Sequence, residues 1–355
     1  MPRMAASLGA SDLWVKMDAE TGFALGGNKV RKLEFELAPS RLDGVTHLLT
    51  AGGPQSNHCR VTAAAAARLG LGCTLVLSGP EPVHPTGNAL LHRLFNADVV
   101  TVADRAERTP RMEAVAEALA QAGERPLVVP IGASTGLGCL GYVRAAVELV
   151  EQLDAIGPRP PRTVVFVPTS SCGTLAGLLL GMSILGRPDV ALIGVSADAP
   201  ADELMAATKQ IARDGARLLA WEGDLFADDV AFVDTQVGDG YGVSTPASLE
   251  AIALFGQSEG SVLDPTYTAK AAAGMLEWLS GDTRNPKIGW CFSTREGTRA
   301  YSHEGSQPRS RSLGTPSPAL ADFPNAARVV SSANTLKYRT ARRRPPICWV
   351  GRRRH

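Results

Sequence analysis

The sequence predicts an α/β protein built on parallel sheets, and three observations carry that expectation. Between residues 45 and 275, short apolar β-branched runs alternate with longer Ala-rich or amphipathic stretches. The runs are five or six residues long and the spacers ten or more, the rhythm of βαβ units. Glycine- and hydroxyl-rich turns stand where several runs end, and open α/β sheets bind their ligands at that end.

Taken in order, the first strand is expected at 46–51, followed by an Ala-rich helix at 59–69. Strands at 74–78, 99–103 and 127–131 alternate with helical stretches at 87–96, 111–122 and 142–156. The segment 157–162, GPRPPR, has three prolines in six residues; it cannot be helical and reads as a connection between lobes. Beyond it, strands are expected at 163–168, 191–196 and 230–235, with an apolar stretch at 178–185. No repeat of 20–50 residues is visible. After about Ser280 the alternation fails, and Ser, Pro and Arg accumulate in runs such as RRRPP at 342–346 and GRRR at 351–354. Such a tail buries too little to offset its ordering entropy, so disorder is expected there.

Apolar residues make up 45% of the 355 and charged ones 20%, the mixture of a soluble globular protein. No apolar run reaches the roughly 18 residues of a membrane helix, and the first ten residues lack the apolar core of a secretory signal. The formal charge of +1 argues against a strongly basic nucleic-acid binder, yet it sums two unlike pieces. Residues 305–355 carry 11 Lys and Arg against one acid, Asp322, for +10, so the preceding 304 carry −9. A solvated extension explains the basic segment more simply than a nucleic-acid contact. The six cysteines are scattered without a C-x-x-C pair, which excludes clustered zinc ligands and a disulfide scaffold and points to reduced thiols in a cytoplasmic protein. Cys172 reads as a small packing residue.

Four segments could carry chemistry. GGPQSNH at 52–58 leads into the Ala-rich helix; Ser56 and Asn57 are good N-cap types, and the free N–H groups of that helix start suit an anion such as a substrate carboxylate. SSCGTLAG at 170–177 follows a strand and opens an apolar helix, a nest for phosphate with Thr174 as a hydroxyl donor. It is neither a Walker sequence nor G-x-G-x-x-G. GDGYG at 238–242 presents Tyr241 on a flexible turn. In GGNKVRKLE at 26–34, Lys29 starts a helix, where desolvation and a nearby positive field would lower its pKa and favour Schiff-base chemistry; Arg31 and Lys32 read as surface decoration.

At these residues the chain resembles the D-cysteine desulfhydrase and 1-aminocyclopropane-1-carboxylate deaminase family of pyridoxal-phosphate enzymes. The shared motifs are GNKVRKLE (27–34), QSNH (55–58), STGLGCLGY (134–142), GTLAG (173–177), GYG (240–242) and LDPTYTAK (263–270), in the family's order across residues 12–280. The resemblance implies the two-lobed tryptophan-synthase-β-type fold (fold type II), with parallel twisted sheets flanked by helices. Residues 1–40 and 156–290 would form a large cofactor lobe, 41–155 a small one, and 291–355 an atypical tail. It implies pyridoxal 5'-phosphate as cofactor, a small amino-acid substrate, no metal, no membrane and a homodimer.

The resemblance also implies roles. Lys29 would hold the cofactor and move the α-proton, Asn57 would bond its phenolic oxygen, and Gly173, Thr174, Leu175, Ala176 and Gly177 would seat its phosphate. Ser56, with Asn57 and His58, would receive the substrate carboxylate, and Tyr241 and Tyr267 would flank the reacting carbons. Cyclopropane deaminases generally carry Glu after the second tyrosine and desulfhydrases Thr; Thr268 favours β-elimination from D-cysteine to pyruvate, sulfide and ammonia. The alternatives are ring-opening of the cyclopropane amino acid to 2-oxobutyrate, lysis of a sulfonated amino acid, or an inactive cofactor-binding relative.

Three departures stand out. Family members begin with some two dozen further residues. Their KRDD is here KMDA at 16–19, and their HTGG, whose hydroxyl lies by the pyridine nitrogen, has no clear counterpart in IGWCFSTREG at 288–297, where Thr294 is the candidate. A shifted reading frame near Trp290 would explain the last departure and the basic tail together.

Overall fold

Nine parallel strands in two sheets, layered with ten helices, make up the described part of the chain. The computed structural model describes residues 1–9, 13–80, 83–157, 162–226 and 230–280, and the backbone of 288–293. Thr294, the segment 305–355 and the frame-shift expectation beyond 293 lie outside the described residues.

The order is α1 (Pro2–Leu8), β1 (Leu13–Lys16), α2 (Asn28–Glu36), β2 (His47–Gly52), α3 (Asn57–Leu69), β3 (Gly72–Ser78), α4 (Gly87–Leu94), β4 (Asp98–Val102), α5 (Arg108–Gln121) and β5 (Pro126–Val128). Then come α6 (Gly136–Ala155), β6 (Arg162–Thr169), α7 (Gly173–Ile184), β7 (Val190–Ser196), α8 (Ala201–Leu218), β8 (Val230–Val233), α9 (Pro246–Glu259), α10 (Thr268–Ser280) and β9 (Ile288–Ser293). One sheet runs β1-β9-β6-β7-β8 and the other β4-β3-β2-β5. Every pairing is parallel, as strands joined by helical crossovers require.

The seven expected strands all form. The fourth stops at Val128, because Pro130 has no N–H for the ladder and the chain turns at Gly132, φ 72°. β1 and β9 were not anticipated: β1 has four residues and no local signature, and it exists by pairing Leu13 with Trp290. β9 in turn pairs Trp290 with Val164 of β6, so a strand stands where the apolar alternation had seemed to end, and it crosses residue 290.

α7 is apolar on all sides and buried from Gly173 to Ser183, the mark of a central helix. Helices α6, α7 and α8 cover one face of the larger sheet in a cluster with Val165, Val167 and Leu192. α1, α9 and α10 cover the other with Phe166, Ile193 and Val195. Two glycines set the helix spacing. A Cβ on Gly177 would stand 2.2 Å from the Cys139 carbonyl oxygen of α6, and one on Gly141 2.1 Å from that of Arg31 in α2. α2, α6 and α7 therefore pack backbone to backbone.

The divergent KMDA stretch retains the carboxylate the fold uses. Asp18, buried at 1% exposure, accepts from Arg31 Nε (3.1 Å) and Nη2 (3.0 Å) and from the Tyr142 hydroxyl. Arg31 also reaches Glu148 at 2.9 Å, beside Lys16. Burial alone would raise the Glu148 carboxyl, but Arg31 and Lys16 hold it down at about 2. Arg31 is thus a half-buried tie between the loop before α2 and α6, not surface decoration; paired guanidinium geometry is what makes such a tie strong.

Candidate active site

Three helix N-termini meet at one place. Asn57 Nδ2, in the first turn of α3, donates to Asn28 Oδ1 at 3.1 Å, and Asn28 Nδ2, at the start of α2, donates to Thr174 Oγ1 of α7 at 3.1 Å. The next residue of α2 is Lys29, buried at 7% exposure. It lines a cavity whose wall includes Ser170, Ser171, Cys172, Thr174 and Tyr267. Cys172 holds the left-handed φ of 63° and turns the chain so that α7 begins facing the cavity. Its thiol is pushed up by burial and stays protonated, in keeping with a packing role.

Lys32, expected on the surface, is fully buried one turn below Lys29. Its Nζ donates to Ser134 Oγ at 3.1 Å, and Ser134 Oγ donates to Ser171 Oγ at 2.8 Å, a hydrogen-bonded chain from the buried ammonium to the cavity wall. Of the 173–177 segment, Thr174 and Leu175 line the cavity, while Gly177 serves the contact with α6.

At α3, Ser56 Oγ accepts from the Cys59 amide at 3.2 Å and so caps the helix, with its hydroxyl proton still free to donate. His58 is buried against Thr50 Oγ1 at 2.8 Å. Burial first, then Lys29 and Lys32, hold its imidazole neutral far below the usual range. The Tyr241 and Tyr267 hydroxyls lie 2.5 Å apart, with rings edge to face at 5.7 Å. Thr268 is turned away from the cavity: its hydroxyl donates to Asp264 Oδ2 at 2.6 Å and accepts the Asp264 amide at 2.7 Å. Asn28 and Lys32 stand inside the GNKVRKLE motif, but neither role was legible there, since their value lies in partners contributed by distant elements.

A buried lysine facing a hydroxyl-lined helix terminus is the arrangement of an enzyme that holds a phosphorylated carbonyl cofactor. The chain matches the pyridoxal-phosphate dependent enzyme family over residues 1–287 and belongs to that family. It is 38% identical over 285 residues to the D-cysteine desulfhydrase of Salmonella typhi, covering 79% of this chain and 84% of that one. The D-cysteine desulfhydrase of Salmonella paratyphi B is 36% identical over 313 residues, 87% and 90% of the two chains. Among solved structures, an ACC deaminase homologue superposes with a TM-score of 0.74 at 32% identity, over 84% of this chain and 87% of that one. A threonine deaminase from T.th. superposes at 0.57 with 23% identity, over 84% and 91% of the two chains, and shares the fold, fold type II.

The residues present fit the cofactor. Lys29 would offer the amine for its aldehyde, the start of α7 would offer amides and the Thr174 hydroxyl for its phosphate, and the buried ammonium of Lys32 lies behind that wall, hydrogen-bonded through Ser134 to Ser171.

Proposed function

We propose that this protein catalyses pyridoxal-phosphate-dependent β-elimination from D-cysteine, giving pyruvate, sulfide and ammonia. The observation that carries the reading is Lys29 buried in a cavity opposite Thr174, with Asn28 linking that wall to Asn57. The names of the relatives and Thr268 support the choice of substrate.

When bound, the cofactor supplies the electron sink that lets the Cα–H bond break. Lys29 Nζ would hold the cofactor and, released by the substrate amine, take the Cα proton. Gly173 to Gly177 would seat the phosphate, with Lys32 balancing its charge. Asn57 would direct one of its two amide hydrogens to the phenolic oxygen. Ser56, Asn57 and His58, at the start of α3, would receive the substrate carboxylate. Tyr241 and Tyr267 would stand at the reacting carbons, their shared hydrogen bond fixing both hydroxyls.

The two sheets support a division into a cofactor lobe of residues 1–40 and 156–290 and a small lobe of residues 41–155. The four described cysteines are all free and buried, which supports a cytoplasmic protein. No helix among the described residues is long and apolar enough to cross a membrane. A homodimer is the assembly we propose.

The ACC deaminase homologue favours a second reading, ring-opening of 1-aminocyclopropane-1-carboxylate. Keto-acid assays with both substrates separate the two. Pyruvate with sulfide from D-cysteine is expected, while 2-oxobutyrate from the cyclopropane alone would replace the first reading with the second. Lys29→Ala should lose both turnover and the visible absorbance of bound cofactor; retained turnover would overturn the mechanism.

A further inference from the structure

Arg60 sits in the first turn of α3 and is completely buried. Its guanidinium grips two neutral acceptors from distant parts of the chain. Nη2 donates to the Gly26 carbonyl at 2.6 Å, and Nη1 donates to Asn88 Oδ1 at 3.2 Å. Gly26 belongs to the turn that leads into α2, just before Lys29. That helix start has no side-chain cap of its own, and Gly26 and Gly27 both hold positive φ, 68° and 110°. It is therefore held from outside. Arg60 fastens the Gly26 carbonyl, while the Gly27 amide donates to the Asp18 carbonyl at 2.9 Å and to Thr21 Oγ1 at 3.1 Å. A glycine turn without a cap keeps its shape only where other groups fix it.

The other arm leads to the loop before α3. Asn88, buried near the start of α4, turns its amide so that Oδ1 accepts from Arg60 and Nδ2 donates to the Gln55 carbonyl at 2.9 Å. The Asn88 backbone amide donates to Gln55 Oε1 at 3.0 Å, and Gln55 Nε2 donates to the Thr86 carbonyl at 3.0 Å. Gln55 is thus clamped at three points to the start of α4, and the next residue is Ser56. The Arg60 amide donates to the Ser56 carbonyl at 3.2 Å, and the His92 ring nitrogen stands 3.4 Å from the same oxygen. A continuous hydrogen-bonded path therefore runs from Gln55 through Asn88 and Arg60 to Gly26. Buried polar contacts of this kind are satisfied in one arrangement, so a displacement at one end is resisted at the other.

We propose that Arg60 is a positioning residue for Lys29, coupling the loop that seats the substrate to the turn from which Lys29 enters the cavity. This rests on the β-elimination reading, in which the start of α3 takes the α-carboxylate and Lys29 takes the Cα proton. Those two contacts are made to bonded atoms of one small molecule, so their separation has to be held to a fraction of an ångström. The planar fork of a guanidinium spans two acceptors in fixed directions, whereas an ammonium gathers its donors at one point. Arg60 touches neither substrate nor cofactor in this role; it acts through Gln55 and Gly26.

The test compares the full-length holoenzyme with Gln55→Met, Asn88→Asp and Arg60→Lys, with rates expressed per cofactor-loaded site from the visible absorbance. Asn88→Asp still meets Arg60 but sets a carboxylate oxygen against the Gln55 carbonyl. On D-cysteine, kcat should fall about tenfold or more in each variant. The effect of deuterium at Cα on kcat should rise, because removal of the proton becomes slower than the other steps. An unchanged isotope effect in Gln55→Met and Asn88→Asp would overturn the proposal and leave Arg60 a support for the fold alone. Those two variants decide the matter if Arg60→Lys does not fold. Propanoate, which has the carboxylate but no amine, reads the coupling without turnover. It should shift the visible band of the bound cofactor in the parent, with the shift lost in the variants. A shift absent from the parent, or equal in all four proteins, would overturn the coupling. Absence of keto acid from D-cysteine in the parent would instead overturn the β-elimination reading, and the propanoate titration would then decide the coupling by itself.

Discussion

Lys270 Nζ donates a 2.9 Å hydrogen bond to the carbonyl of Gly240, the residue before Tyr241. The same ammonium reaches the carbonyls of Val237 at 2.6 Å and Ala197 at 3.0 Å, so one fully buried charge fastens the GDGYG turn to the end of β7. Lys270→Met would leave three carbonyls without this donor, at a cost on the order of 3 kcal/mol. We expect a lower melting temperature and at least a tenfold fall in kcat for keto-acid formation, because the Tyr241 hydroxyl loses its fixed place. Unchanged kinetics in a folded Lys270→Met variant would show that the turn is positioned by other contacts.

Asn28 joins α3 to α7 through two 3.1 Å hydrogen bonds. Asn28→Ala leaves the Asn57 amide and the Thr174 hydroxyl short of a partner in a buried place, a loss of about 2 kcal/mol. Faster loss of the cofactor's visible absorbance on dialysis is the expected outcome, with Lys29 itself intact.

Gly141→Ala should be far more harmful than its single methyl suggests. The added Cβ would meet the Arg31 carbonyl oxygen at 2.1 Å, and backbone on both sides leaves little room to yield. Overpacking of this kind costs about 1–3 kcal/mol or more. Because α2 carries Lys29, displacement of that helix should reduce cofactor binding as well as stability. Paired measurements of melting temperature and cofactor absorbance check both.

His92 supplies a pH dependence. It is 1% exposed, its ring nitrogen contacts the Ser56 carbonyl at 3.4 Å, and burial lowers its pKa from 6.5 to about 4. The unfolded chain therefore binds the proton first as pH falls. The stabilisation is fully present above pH 6.5 and is lost progressively toward pH 4, by about 3 kcal/mol for this group. His92→Gln should flatten that part of the stability curve, measured by denaturant unfolding at several pH values. A slope unchanged from the parent would assign the dependence to other groups, His58 foremost.

Local sequence determined a good deal of this. Strands β2 to β8 were legible because each is a compact apolar run with a helical spacer, and burial on both faces of a parallel sheet demands just that composition. Lys29 and the turn at 170–177 were legible because a lysine after glycines and a nest of small residues are local signals of chemistry. Thr268 was legible as a marker but not as a structure, for its hydroxyl serves Asp264.

Tertiary structure alone decided the rest. β1 and β9 are strands because chain segments far apart in sequence pair with each other, and no local period encodes a partner. Lys32, Arg108 and Lys270 carry charges that any sequence pattern assigns to water. Their burial depends on where Ser134, Ser78 and three carbonyls are brought by other elements. A charge stays inside only if distant groups arrive to meet it, and that arrival is a property of the folded chain.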